Sequence, residues 1–336
     1  MELDTLTTLR HPRLKVKISR RDKSVDSFAK DVVAGLSSNP KTLPPKYFYD
    51  HIGSKLFEAI CDLPEYYVTR TEFSILQNFA DDIAGQFDDN VTIVELGSGN
   101  SSKTRLLIEA LIRQKGKLHY LPVDISKSIL METSHALLSS YRQLRVSAYI
   151  SEYFTALRHL QQETFESKLI LFLGSNIGNF EPEAAVDFLK KTYATMQESD
   201  RLLMGADLMK DKSIVEPAYD DSQGITAQFN MNLLTRMNRD LGGNFDLSQF
   251  RHKAFLNETL GRVEMHVESL RQQAVTLHQL KREFFFEKGE TIHTENSYKF
   301  TFPVLKKLAA RGGFEIEKTW MDQRKWFSLN LLKPIT

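Results

Sequence analysis

A single cysteine, Cys61, leaves the 336-residue chain no partner for an internal disulfide, and no Cys/His group has the spacing of a zinc site. Cys61 is therefore read as a small apolar residue packed in a reducing compartment. Net charge is also nearly absent. The 44 Lys and Arg against 43 Asp and Glu create no global positive field to recruit nucleic acid or an anionic membrane. No apolar run is long enough to span a bilayer. The N-terminus carries Arg10, Arg13, Lys15, Lys17, Arg20 and Arg21 but lacks the apolar core of a signal peptide. Internal repeats and low-complexity tracts are missing too. These absences suit a cytoplasmic protein that acts on a small neutral or zwitterionic molecule, without metal, nucleic acid or membrane; a monomer is expected. Its length suits one large domain or two smaller ones, each able to bury a core.

Against these absences stands Val91-Thr92-Ile93-Val94-Glu95-Leu96-Gly97-Ser98-Gly99, a short apolar strand running into a Gly-x-Gly turn, followed by a helical stretch from Ser101 to Leu111. Glycines let the backbone approach a ligand, and the N–H groups of a helix start favour polar or anionic groups. Tyr120-Leu121-Pro122-Val123-Asp124 ends a second apolar strand with a carboxylate, the residue type that holds ribose hydroxyls in doubly wound sheets. An adenosine-based ligand is expected. The dinucleotide pattern Gly-x-Gly-x-x-Gly is incomplete, since Ser102 occupies its third glycine. Glu95 with Gly97 and Gly99 instead resembles the first motif of the S-adenosylmethionine methyltransferases.

Apolar runs alternate with helical segments from about residue 80 to 210. Strands are expected at Ile93–Leu96, Leu118–Asp124, Ala148–Ile150, Leu169–Leu173 and Arg201–Ala206, with helices at Ser102–Gln114, Ser126–Leu138, Phe154–Gln162 and Pro182–Gln197. This alternation predicts an α/β fold with a parallel, Rossmann-like sheet covered on both faces. Phe314–Trp320 and Trp326–Leu332 flank a short polar link and read as an antiparallel pair at the sheet edge. That ending resembles the class I methyltransferases, whose last strand enters antiparallel. Two blocks break the alternation, with strands such as Arg262–Ser269 and Gln273–His278. Residues 1–80 and 210–298 are read as one auxiliary α+β domain that binds substrate and caps the sheet. Residues 81–209 and 299–336 are left as the cofactor-binding domain.

Longer motifs point to one family. Tyr47-Phe48-Tyr49-Asp50 with Gly53-Ser54, Leu63-Pro64-Glu65-Tyr66-Tyr67-Val68-Thr69-Arg70, Glu95-Leu96-Gly97-Ser98-Gly99, Leu173-Gly174-Ser175-Asn176-Ile177-Gly178-Asn179 and Tyr219-Asp220-Asp221 occur in this order. In this the chain resembles the histidine-specific methyltransferases of ergothioneine biosynthesis. The resemblance covers roughly residues 40 to 332. It implies transfer of three methyl groups from S-adenosylmethionine to the α-amino group of L-histidine, giving hercynine. Related fungal enzymes methylate tryptophan-derived amines.

On the donor side the resemblance implies that Gly97, Ser98 and Gly99 face the methionine part, that Lys103 contacts the cofactor, and that Asp124 takes the ribose hydroxyls. Glu152 and Tyr153 stand where the family has Asp-Phe near the adenine, a departure that keeps a carboxylate and a ring. On the acceptor side it implies that Asn179, with Gly174 in the same loop, and Tyr219 hold the amino-acid end. Met265 and Tyr66 would lie beside the ring. Tyr49 and Asn179 are assigned to the reacting amine. Each has a plain structural alternative: Lys103 as a solvated charge, Tyr153 as core, Asn179 as a turn or cap before Glu181-Pro182, Tyr219 as a turn residue, Met265 as strand core and Tyr49 as an aromatic anchor. Tyr66 would pack ahead of a helix opened by Thr69 and Glu72 as a capping box.

Acceptor choice rests on Thr294-Glu295-Asn296-Ser297-Tyr298-Lys299. On a strand, residues two apart share a face, so Glu295 and Ser297 present a carboxylate and a hydroxyl together. One imidazole N–H can donate to Glu295, and the other nitrogen can meet Ser297 in either direction. The plain alternative is an exposed polar face continuing to Lys299. In the family this Glu-x-Ser pair binds the histidine ring. Methyl transfer to an amine is an in-line displacement, so orientation and exclusion of water outweigh acid–base groups. A methyltransferase for a tryptophan-derived amine and a non-catalytic binding module are the competing expectations.

Overall fold

The computed structural model describes residues 12–18, 24–163 and 165–335; Arg10, Arg20 and Arg21 of the basic N-terminal stretch lie outside them. The strands are, in chain order, β1 (Leu14–Ile18), β2 (Lys41–Thr42), β3 (Val91–Leu96), β4 (Leu118–Asp124), β5 (Leu144–Ile150), β6 (Ser167–Phe172) and β7 (Arg201–Asp207). There follow β8 (Phe250–Asn257), β9 (Arg262–Ser269), β10 (Gln273–Leu277), β11 (Arg282–Phe286), β12 (Thr291–Tyr298), β13 (Phe314–Met321) and β14 (Phe327–Pro334). The chain divides into two compact units.

The first unit holds an eight-stranded sheet in the order β1-β5-β4-β3-β6-β7-β14-β13. Every residue of β3 is buried, and so is every residue of β6 and β7 but the half-buried first one of each. Strands buried on both faces read as continuous apolar runs, which is why this alternation was visible in sequence. From β3 the chain winds outward through β4 to β5 and then returns to place β6 on the other side of β3. The strand order therefore reverses between β3 and β6. β14 enters between β7 and β13, antiparallel to both, as the antiparallel pair expected at the sheet edge.

The second unit contains a four-stranded sheet, β2-β12-β9-β8, and the β10–β11 hairpin. Its long helix, Ile225–Leu241, buries Phe229, Leu233, Leu234 and Met237, the spacing of one helical face. Asp50 caps the helix His51–Cys61, accepting from the Gly53 N–H at 2.8 Å and from Asn232 Nδ2 at 2.9 Å. Cys61 ends that helix half-buried rather than packed in the core.

The structure differs from the expected division at its N-terminal end. β1 pairs in parallel with β5, so residues 14–18 belong to the large sheet. The first unit also begins again at Val68, not near residue 80, and resumes at Phe300. The helix expected to open at a Thr69–Glu72 capping box starts at Tyr67 instead. Thr69 is thus already helical, and Glu72 is free to bond elsewhere. The helix expected from Ser101 or Ser102 begins at Thr104, because Ser101 has a left-handed φ of 51° and cannot continue a helix. β5 starts at Leu144, before the expected Ala148, and the helix from Pro182 ends at Tyr193.

Glu72 is fully buried in the first unit. Both its carboxylate oxygens accept the Gly174 N–H at 2.9 Å, and it forms an ion pair with Lys103. One carboxylate thereby joins the helix Tyr67–Ala84, the residue before the helix at Thr104 and the loop after β6. Removing Glu72 takes the buried counter-charge from Lys103 and the acceptor from the Gly174 N–H. Glu72→Ala is expected to lower the unfolding free energy in urea by about 3 kcal/mol. Asp81→Ala, which breaks the exposed pair with Arg113, should hardly move the transition.

Candidate active site

In the first unit the donor-side residues gather where β3, β4 and β6 end. Gly97 and Gly99 have φ of 78° and 49°. The Gly97 and Ser98 N–H groups donate to the Val123 carbonyl at 2.8 and 3.2 Å, which folds the turn over the end of β4. Asp124 accepts from the Gly99 N–H at 2.9 Å and the Ser126 N–H at 2.8 Å. Burial raises its pKa, while these backbone donors and that of Ile125 oppose the rise. A Cβ on Gly97 would lie 2.7 Å from the Tyr153 hydroxyl, so that ring reaches the glycine turn only because no side chain is there. Tyr153 sits edge-on to Phe172 and Phe188, at 5.6 and 6.4 Å. Its pKa is raised by burial and by the Asp124 charge. Glu152 precedes it, exposed, at the start of the helix Tyr153–Leu160.

Lys103 is half-buried; its Nζ lies 3.5 Å from where a Gly174 Cβ would be. The buried Ser98 hydroxyl has no hydrogen-bond partner among the described residues. A glycine turn open at Gly99, an orphaned hydroxyl and an oriented carboxylate fit an adenosyl ligand with a charged amino-acid tail. Asn179 closes the short turn Asn176–Asn179 and is half-buried, while Glu181, not Asn179, caps the next helix. Glu95 turns away from this surface. It accepts from the Thr104 and Tyr120 hydroxyls, and burial lifts its pKa to about 7.

In the second unit Glu295 and Ser297 share a face of β12, and β9 pairs Met265 with Glu295 and Val263 with Ser297. Met265 is buried and flanks Glu295. Burial raises Glu295 to about 7, with Lys299 pulling the other way. Tyr219 Oη lies 2.7 Å from Ser297 Oγ. Tyr66 is edge-on to Tyr219 at 6.3 Å, and its pKa is raised by burial, then by Tyr219, Cys61, Tyr49 and Glu295. Tyr49 packs edge-on against Phe57 and Phe229, at 5.5 and 5.7 Å, beside the cap at Asp50. Tyr66, Tyr219, Met265, Glu295 and Ser297 thus form one cluster, with Tyr49 within electrostatic reach of it.

A relay behind this cluster fixes Tyr219. His252 Nε2 donates to the Tyr219 carbonyl at 2.8 Å, so its Nδ1 accepts from Asn230 Nδ2 at 2.9 Å. Asn230 Oδ1 accepts from Thr294 on β12 at 2.8 Å. Burial lowers the His252 pKa, consistent with a neutral ring in that tautomer. Lys299 is the residue that sequence reasoning missed. It is buried, not on a solvated face, and donates to Tyr219 and Ser297. The spacing of Glu295, Ser297 and Lys299 at every second position was the available signal.

Glu264, His266 and His293 bring one possible metal-ligand atom each within 4.8 Å of one another. The two imidazoles are stacked, 4.7 Å apart and 17° from parallel. A metal binds in the plane of an imidazole, and two stacked planes share no such point. Among the described residues no helix is long and apolar enough to cross a membrane.

The family description "Histidine-specific methyltransferase, SAM-dependent" matches residues 28–334. The histidine N-alpha-methyltransferase of Mycolicibacterium smegmatis is 37% identical over 310 residues, covering 92% of this chain and 96% of that protein. The Mycobacterium tuberculosis protein of the same name is 39% identical, covering 90% and 93%. The 4-dimethylallyltryptophan N-methyltransferase easF of Claviceps purpurea is 30% identical, covering 93% and 96%. The chain belongs to the S-adenosylmethionine-dependent, histidine-specific methyltransferases.

Proposed function

We propose that this methyltransferase acts on the α-amino group of L-histidine and methylates it three times to hercynine. The observation that carries the reading is the face of β12 on which a half-buried Glu295 and a buried Ser297 stand together beside Met265 and Tyr219. A carboxylate and a hydroxyl two residues apart satisfy the two nitrogens of one imidazole, whereas an indole has a single N–H and would leave one of them unpaired. A site built on such bonds discriminates by ~10⁴-fold against a ligand that leaves them unmade.

S-adenosylmethionine supplies an electrophilic methyl group on a sulfonium. The chain's residues have simpler tasks. Backbone at Gly97, Ser98 and Gly99 takes the methionine part, Lys103 its charged end, Asp124 the ribose hydroxyls, and Glu152 with Tyr153 the adenine. In the second unit Tyr219 holds the acceptor's carboxylate, with Tyr66 and Met265 beside the ring. Tyr49 positions the amine, which attacks only when neutral; desolvation disfavours its ammonium form. Orientation in a water-poor site supplies the acceleration.

Incubation with S-adenosylmethionine, the natural amino acids and a few aromatic amines, followed by mass spectrometry, tests the reading. Histidine is expected to gain three methyl groups while the other acceptors react little. A tryptophan derivative methylated in preference would overturn the acceptor assignment and leave the fold and donor intact. Glu295→Ala should cut kcat/KM for histidine by at least a hundredfold while S-adenosylhomocysteine affinity, read by calorimetry, holds.

The raised pKa of Glu295, about 7, adds a pH dependence. Below that value the protonated acid dominates and cannot accept from a ring N–H. kcat/KM should therefore fall toward tenfold per pH unit below 7, in addition to the fall caused by protonation of the substrate amine. In Glu295→Gln, slower throughout, only the amine's contribution should remain. Parallel profiles for the two proteins would show that Glu295 does not titrate in the reaction.

A further inference from the structure

Lys299 is 5% exposed. Its Nζ is 2.7 Å from Tyr219 Oη and 2.9 Å from Ser297 Oγ, and those oxygens are 2.7 Å apart. An ammonium can only donate, so both oxygens accept from it. The contact between the hydroxyls uses one of their two hydrogens. A single hydroxyl hydrogen is left to the pair. If Tyr219 turns its proton outward to a carboxylate, Ser297 must give its own to Tyr219 and faces the ring with a lone pair, so the ring meets the site as an imidazolium, one N–H donating to Glu295 and the other to Ser297. If no carboxylate is present, Tyr219 donates to Ser297 and the Ser297 proton faces outward instead. What Ser297 offers the ring thus depends on what Tyr219 meets.

We propose that Lys299 is a positioning and specificity-determining residue, which ties Tyr219 and Ser297 into one relay that reads the acceptor's carboxylate and its ring N–H together. The inference rests on the histidine reading above and deepens it. The buried cation also strengthens the Tyr219 O–H as a donor, because hydrogen bonds in a chain polarise one another and a charged member strengthens them. An acceptor with the ring but no carboxylate meets the relay in its other setting, without that charge-assisted bond. Glu295, on the same face, feels the Lys299 charge as well. The relay therefore sits between the two ends of an amino acid rather than serving one of them.

Histidine and histamine share the imidazole and the amine and differ in the carboxylate. Their dissociation constants, measured by calorimetry in the presence of S-adenosylhomocysteine, test the assignment. The wild-type protein should prefer histidine by about a hundredfold or more. Lys299→Met should shrink that ratio at least tenfold while S-adenosylhomocysteine affinity is unchanged, and Tyr219→Phe, which keeps Lys299 but cuts the relay, should shrink it likewise. Circular dichroism establishes that each variant is folded; should Lys299→Met not fold, Lys299→Gln, uncharged but still a donor, is read in the same way. Equal losses for both ligands would mark Lys299 as merely structural and overturn the proposal. A wild-type protein that binds both ligands equally would overturn it too, leaving the histidine reading in place. A wild-type protein that binds S-adenosylhomocysteine but neither ligand would overturn both.

Discussion

Where strand order reverses between β3 and β6, the connections leaving two neighbouring parallel strands run in opposite directions, and the gap between their carboxyl ends must be lined by loops. The donor half of the protein depends on that gap. Gly97 lies on the loop from β3, Gly174 on the loop from β6, and the buried Glu72 carboxylate links the second of these to Lys103. The same geometry explains why side-chain volume is missing at Gly97, where the Tyr153 hydroxyl occupies the space a Cβ would need. Loops at such a point have few backbone partners of their own, so side chains must hold them. Glu72 does this for Gly174, and Asp124 does it for Gly99.

Two carboxylates, Glu95 buried and Glu295 half-buried, have the same raised pKa through desolvation, yet their surroundings separate their roles. Glu95 and Glu295 both reach about 7 through burial. The Thr104 and Tyr120 hydroxyls bond to Glu95 and stitch the helix start to β3 and β4. Among the described residues no hydrogen bond is donated to the Glu295 carboxylate, although Lys299 acts on it through space. A desolvated carboxyl group with its hydrogen-bonding capacity intact is suited to a ligand; one whose capacity is filled by its own chain is suited to holding a loop. The pKa values alone would not have told them apart.

How much of this was legible in sequence depended on how local the cause was. β3, β4, β6 and β7 could be read because each is apolar nearly throughout, and the terminal pair because a short polar link joins two apolar runs. β1 could not, since its five residues, Leu14–Ile18, gain their place only by pairing with β5, far along the chain. The helix start at Thr104 was obscured by Ser101, whose left-handed backbone follows from the tight turn after Gly99 and not from its own preference. Tyr219 stood in one of the long motifs, and Glu295 and Ser297 were picked out by their spacing on an expected strand, but Lys299 looked like the solvated end of a polar strand. Lysine is rarely buried, and the Tyr219 and Ser297 hydroxyls, the former 80 residues away in sequence, help to make its burial tolerable.

Three successive methylations set a further constraint on the proposed acceptor site. The amine grows by one methyl group at each turnover, while the imidazole and carboxylate stay as they were. Contacts that must survive all three rounds therefore belong on the ring and the carboxylate, which is where Glu295, Ser297 and Tyr219 would act. The surroundings of the amine should be shaped but weakly bonded, and the aromatic setting of Tyr49 against Phe57 and Phe229 has that character. Termination then needs no gate. A quaternary nitrogen has no lone pair, so the chemistry stops at three, and nothing in the pocket has to count.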